Sequence, residues 1–214
     1  MASILKVNTI QDATNSNTAM SIDSSGRVLT PARPSFQYDI TNYSGGTNYL
    51  SSAYKFGSQS SGNDLVISYF SPIPFINSIS SSGDGFTTNV GGGASFVDHP
   101  ASSSYKYLKF TAPIAGLYCF GMVVDFANRH SALDYIGFGL KKNTASQSAS
   151  GSTSASSFDK PLIQYRPNAE RGATTSGTNI IDLAANDFVV YYSRSVEETE
   201  FQSSTASFFG YLIG

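Results

Sequence analysis

The chain has 214 residues, 13 basic against 15 acidic side chains, a net charge of −2 and no tryptophan. Charged residues are 13% of the total, against about 25% in ordinary soluble domains, and Ser, Thr, Asn and Gly take their place. No basic run exceeds Lys141-Lys142, which leaves no clustered footprint for nucleic acid or an anionic membrane surface, and the lone Cys119 rules out an intrachain disulfide or a multi-cysteine metal site.

Residues 1–33 contain no aromatic side chain, and their apolar residues are sparse: Ile4, Leu5, Val7, Ile10, Met20, Ile22, Val28 and Leu29. Two short strands are expected near 3–10 and 19–23, with a turn at Asp23-Ser24-Ser25-Gly26, before Pro31 and Pro34 stiffen a connector. A segment this short buries little apolar area alone. Its Ile4-Leu5-x-Val7-x-x-Ile10 pattern is too apolar for a free tail, so pairing with another chain is expected. Fully extended, the segment reaches roughly 110 Å at about 3.3 Å per residue, enough for an anchoring arm. The opening heptad Met1–Val7 lacks the continuous apolar core of an export signal, and no run approaches the ~18 apolar residues of a membrane span. A protein made in the cytoplasm and not inserted in a membrane is therefore expected.

From residue 34 to 214 the pattern changes to short aromatic or β-branched runs separated by Ser/Gly/Asn turns. Strands are predicted at 35–40, 52–57, 64–70, 73–77, 86–90, 105–111, 116–126, 134–142, 160–166, 178–183, 187–195 and 205–213. No long run carries helical spacing, so the fold class is all-β, a sandwich or barrel. Segments 116–124 and 187–192 are apolar on both faces, which places them mid-sheet or beneath another subunit. The terminal run Thr205–Gly214 reads as a strand that closes a sheet, since an unpaired apolar edge invites aggregation. Asn143–Ser157, almost entirely Ser, Ala, Thr and Gly, reads as a flexible surface loop.

Catalytic patterns are missing. His99 and His130 have no metal-ligand or base partner at a useful spacing and read as loop histidines. There is no Gly-x-Ser-x-Gly elbow and no phosphate loop, and Gly91-Gly92-Gly93 reads as a plain turn. Cys119 reads as a buried small hydrophobe. Glu197, Glu198 and Glu200 form an acidic hairpin tip. Oxygen ligands of this kind suit Ca²⁺, but their spacing sets no coordination geometry, and a solvated tip is the favoured reading. No catalytic residue, metal or cofactor is expected.

Four segments carry a resemblance. Lys109–Phe120 resembles the central signature of C1q-like domains: Phe-Thr, then Pro, Gly and an aromatic strand. Ile136–Asn143 is similar to the family strand that ends in a Lys-Asn turn. Ile180–Val190 resembles the element of leucine, turn and valine strand, with Asn186 where Gly is usual. Ser207–Ile213 is similar to the closing strand shared by C1q and tumour-necrosis-factor domains. The resemblance implies a ten-stranded jelly-roll β-sandwich that assembles as a tight homotrimer. Tyr118, Phe120, Phe209 and Tyr211 are then expected near the subunit interface.

The opening Ile4–Asp12 and Ile22–Val28 resemble the start of structural appendage proteins of marine and cyanobacterial tailed phages, in which a short β module precedes a C1q-like head. That implies a virion structural protein, a fibre, knob or spike subunit. Residues 1–33 would trimerise and attach to capsid or tail through Ile4, Leu5, Val7, Ile10, Ile22 and Val28. Residues 34–214 would form the head and meet a host-surface glycan. The alternatives are a secreted or carbohydrate-binding lectin module and a glycan depolymerase.

Overall fold

Strands with one large side chain at every second position can bury that side only against another sheet. The computed structural model shows how the chain does so, and describes residues 9–11, 18–22, 24–26, 28–29, 33–40, 54–56, 65–67, 70–76, 86–126, 136–146, 158–165, 174–195, 200–201 and 203–213. Among these there is no helix. The strands are β1 (Thr9–Gln11), β2 (Thr18–Ile22), β3 (Val28–Leu29), β4 (Ser35–Ile40), β5 (Tyr54–Phe56), β6 (Leu65–Ile67), β7 (Phe70–Pro72), β8 (Phe75–Ile76), β9 (Phe86–Val90), β10 (Ala94–His99), β11 (Ser102–Thr111), β12 (Gly116–Phe126), β13 (Ile136–Lys142), β14 (Lys160–Tyr165), β15 (Thr174–Leu183), β16 (Phe188–Ser195), β17 (Glu200–Phe201) and β18 (Ser203–Leu212).

One sheet runs β15-β12-β18-β4-β9; the other runs β10-β11-β16-β13-β14, with β7 also on β16 and β8 on β11. The chain passes back and forth between the two layers from β11 to β18, and its first and last long strands, β4 and β18, lie side by side. That connectivity is a jelly roll. The closing strand sits between β12 and β4, so both of its edges are hydrogen-bonded, as expected of it. Two smaller sheets complete the strands: β1-β2-β3, and β17-β5-β6.

The interior is aromatic. Phe36 and Tyr38 of β4, Tyr118 and Phe120 of β12 and Phe208 of β18 meet Phe96 of β10, Phe110 of β11 and Tyr191 of β16. Their rings touch in sequence: Tyr38 on Phe96 at 4.9 Å, Phe36 on Phe110 at 5.4 Å, Phe110 on Phe120 at 5.4 Å and Tyr191 on Phe208 at 5.1 Å. Such pairs add about 0.5–1.5 kcal/mol each beyond the area they bury. The small residues are placed to admit them. Gly210 lies between Phe120 and Phe36 in register, and a Cβ there would sit 2.6 Å from both rings. Gly177 of the edge strand β15 faces β14 so closely that a Cβ would stand 1.9 Å from the Leu162 carbonyl oxygen.

Three strand assignments need correction. No strand was expected at 94–99, where β10 lies. β11 begins at Ser102 rather than near 105, and β15 begins at Thr174 rather than 178. The early residues of β15 alternate exposed and half-buried, because an edge strand with an outer face needs no apolar side chain there.

The molecule has two poles. At one, here the base, lie the turn Gly91–Gly92, the connection Ala112–Ala115, the turn at Ala184–Asp187 and the end of β18. The Leu212 amide donates to the Pro34 carbonyl at 2.9 Å, and Arg33 Nη1 donates to the Ile213 carbonyl at 3.1 Å. Residues 33 and 34 therefore enter the sandwich at the base. β4, β12, β14 and β16 all run away from it and end at the opposite pole, the apex.

Tyr191 crosses the whole interior. Its hydroxyl lies 2.8 Å from the Phe209 carbonyl and 3.1 Å from that of Gly121, its one proton shared between two strands of the opposite sheet. Burial pushes the phenol far above its ordinary range, so it stays a donor at every working pH. Tyr191→Phe is expected to lower stability by about 1–2 kcal/mol in urea unfolding, the worth of a buried hydrogen bond plus an under-satisfied carbonyl. An unchanged midpoint would show that the hydroxyl does not hold the sheets together.

Candidate functional site

Alternation sends every second residue of β12, β15 and β18 away from the core, onto the outer face of the five-stranded sheet. One row crosses this face in register: Ile180, Cys119, Tyr211, Ser35 and Val90. Ile180 is 48% exposed, Tyr211 46% and Val90 37%. The next row towards the base holds Asp182 and Leu117, with the Ile213 amide bonded to the Leu117 carbonyl at 2.7 Å. Leu117 is as exposed as Ile180. The next row towards the apex holds Thr178, Gly121, Phe209 and Gln37. The Phe209 ring lies flat over Gly121, where a Cβ would stand 2.3 Å from it. Further towards the apex the face turns polar, with Ser207 donating to Asp39 and Gln37 Nε2 donating to Asp39 at 2.9 Å.

Of the four residues expected at a subunit interface, two belong here and two do not. Tyr211 and the half-buried Phe209 are on the outer face. Tyr118 and Phe120 are fully enclosed between the sheets, where they pack on Phe110. Sequence alone did not fix the parity of β12. The outward members of that strand are Leu117, Cys119, Gly121 and Val123, of which Leu117 is the large exposed one. The Cys119 thiol is buried beneath its neighbours. Its contact with the Tyr211 hydroxyl holds that phenol above its ordinary value.

The outer face of the other sheet is also aromatic, but the chain covers it. Phe70, Tyr107, Val190 and Tyr192 are buried there beneath Ala145 and Phe158. Tyr192 donates to the Ser146 carbonyl at 2.9 Å, and Phe158 packs on Phe70 at 5.4 Å. The two described ends of the Ser/Ala-rich segment are thus pinned to the sheet, while its middle lies outside the described residues.

Below this loop the expected Lys-Asn turn is a clasp. Lys142 pairs with Asp187 at 2.7 Å, Asn143 donates to Asp187 at 2.7 Å, and the Phe188 amide donates back to Asn143 at 2.8 Å. The Lys142 ammonium, then Asn143 and the Ala184 amide, hold the Asp187 carboxyl down at about 2. Asn143 and Asn186 are the non-glycine residues with positive φ among those described, at 55° and 70°. Asn tolerates that conformation better than other non-glycine residues.

In the arm, Ile10 on β1 and Ile22 on β2 are exposed, and Val28 pairs with Ile22 across β2 and β3. Ile4, Leu5 and Val7 lie outside the described residues, as do Glu197, Glu198 and His130. No cluster of three metal-ligating side chains occurs among the described residues, nor any helix long and apolar enough to cross a membrane.

His99 corrects another expectation. It is not a loop histidine but a buried end-piece of β10. The Ala101 amide donates to Nδ1 at 3.1 Å, which places the ring proton on Nε2, 2.9 Å from the Pro72 carbonyl. Both nitrogens are used by the neutral ring.

No family model and no curated protein matches this chain. Among solved structures, the globular domain of zebrafish complement 1qA protein is similar to it at 16% identity and a TM-score of 0.41. The match covers 85% of this chain and 98% of that one.

Burial lowers the His99 pKa from 6.5, outweighing the Pro72 hydrogen bond. The unfolded chain therefore takes up the proton first. The contribution of His99 to stability is complete above pH 6.5 and falls as the pH drops below it, while that of Asp187 falls only below about pH 4. In thermal melts between pH 7 and 5, His99→Gln should show a flatter slope than the parent protein. Equal slopes would mean that His99 is not the group titrating in that window.

Proposed function

We propose that the protein is a non-enzymatic, self-associating structural subunit: a homotrimeric virion appendage of a tailed phage. Residues 1–33 attach it to the particle, and residues 34–214 form its head. One observation carries the self-association. The outer face of the five-stranded sheet leaves Leu117, Ile180 and Tyr211 exposed in adjoining rows on β12, β15 and β18, with Val90 of β9 exposed beyond Ser35 of β4. At about 4.8 Å per strand those rows span roughly 20 Å. Exposed apolar side chains grouped in this way on one face of a protein mark an interaction site. A second copy of the same chain is the partner favoured, since the band lies on a flat sheet face between a polar upper margin and the root of the arm.

The phage assignment is supported by the resemblance of residues 4–12 and 22–28 to appendage proteins. The bipolar construction suits such a role. The arm leaves from the base, and the connections from β12 to β13, β14 to β15 and β16 to β18 leave from the apex. A particle-bound trimer would present three sets of apical loops together. Three linked weak contacts to a host-surface glycan would then gain avidity without any single tight site.

Light scattering should give three times the chain mass for the full protein, and a stable monomer would overturn the reading. Leu117→Lys with Tyr211→Lys changes two exposed side chains. The pair should shift the protein to monomers while leaving its far-ultraviolet dichroism unchanged. Deleting residues 1–33 should leave folded heads that no longer decorate particles; decoration by the truncated head would remove the anchoring role from the arm.

A further inference from the structure

Two further apolar sets are exposed, the second of which adjoins the lower edge of the sheet face at Leu117. One is on the arm, where Ile10 and Ile22 are 48% and 40% exposed; the other is at the base, where Ile114 and Ile213 are 48% and 39% exposed. The base is stiff. The Tyr118 hydroxyl donates to the Ile114 carbonyl at 2.8 Å, and the Ile213 amide is fixed to Leu117 at 2.7 Å. Pro34 is buried with its carbonyl bound by the Leu212 amide, so the chain enters the head at a defined point.

The covalent chain then limits where the arm can be. Leu29 ends β3, and Arg33 is bonded to the Ile213 carbonyl. Four Cα steps separate them, at most about 15 Å at ~3.8 Å per step. The meander β1-β2-β3 is therefore held beside the base, and its β3 cannot leave that neighbourhood. Within one chain this proximity does not bury either set: Ile10 and Ile22 stay exposed, and so do Ile114 and Ile213. The tether keeps the arm near its own base without seating it there.

We infer that the base of each head takes the arm of a second copy of this chain, with Ile10 and Ile22 of one copy packed on Ile114 and Ile213 of its neighbour. This rests on the self-association proposed above. Once heads associate through their sheet faces, each neighbour's arm is tethered beside a foreign base at high effective concentration, so seating it needs no further encounter. The exchange buries the arm's apolar face and locks the oligomer by linking each head to the next through its own chain.

The test uses the full chain in a Cys119→Ser background. One population carries Ile22→Cys, and a second, larger by a tag, carries Ile114→Cys. They are refolded together and treated with a short bismaleimide, and the mass is followed by light scattering. A covalent product of one small and one large chain is expected. It should be at least tenfold reduced when Ser103→Cys, exposed near the apex, replaces Ile114→Cys. Oligomers that yield no such product overturn the arm exchange and leave the self-association standing. Monomers throughout remove the self-association and the exchange with it. A third sample, with both cysteines on one chain, distinguishes the remaining case. If it closes only within single chains, each arm sits on its own head and the inference is wrong.

Discussion

The hydroxyl of Tyr191 at the carbonyls of Phe209 and Gly121 fixes which way the sandwich faces. Those two residues oppose each other across β12 and β18, so a single side chain from the second sheet sets the spacing of the central pair in the first. With that contact made, Phe120 and Phe208 lie inside against the Tyr191 ring, and Tyr118, at the same parity of β12, packs beside Phe120. A slip of one residue in β12 would turn its whole inner set to solvent and bring Leu117, Cys119 and Gly121 inwards, leaving a void that small side chains could not fill. The outward position of Leu117, Ile180 and Tyr211 thus follows from how the interior is packed. It was not chosen independently of the core.

Much of this was legible in the residues. The all-β class, the central position of 187–192 and the closing strand at 205–213 all follow from runs of aromatic and β-branched side chains too apolar for an edge. The parity of β12 did not follow, because both of its faces carry apolar residues. One signal was present: from Tyr118 to Val124 the bulky side chains share one parity, while Cys119 and Gly121 share the other. Sheet interiors take the bulk and outer faces tolerate the small residues. The start of β15 was missed for the opposite reason. Thr174, Ser176 and Thr178 alternate with half-buried residues on a polar edge strand, and that edge gives no hydrophobic pattern to find. His99 was hidden because a polar stretch before Pro100 carries no mark of burial. Its partners, the Pro72 carbonyl, the Ala101 amide and the Ser71 hydroxyl, are groups brought near it by the fold.

The two outer faces show how the same pressure was met in two ways. Both sheets carry large apolar residues on their outsides. On the second sheet, Phe70, Tyr107 and Tyr192 are closed over by Phe158 and by the turn at Ala145 and Ser146, with the Tyr192 hydroxyl anchored to that turn. Here the chain supplies its own cover, at the entropic cost of ordering both ends of a segment rich in Ser and Ala. On the first sheet, Phe209 folds over Gly121, and no comparable strap lies on Ile180, Tyr211 or Leu117 among the described residues. If exposed apolar area were simply tolerated in this molecule, the strap on the second sheet would serve no purpose. Its presence on one side separates the faces: the strapped one is covered within a single chain, and the bare one keeps its apolar side chains at the surface. The arm extends the same distinction to the base. Ile10 and Ile22 of residues 1–33 and Ile114 and Ile213 beside Arg33 are all exposed, so the single chain leaves them, like the sheet face, without cover of its own.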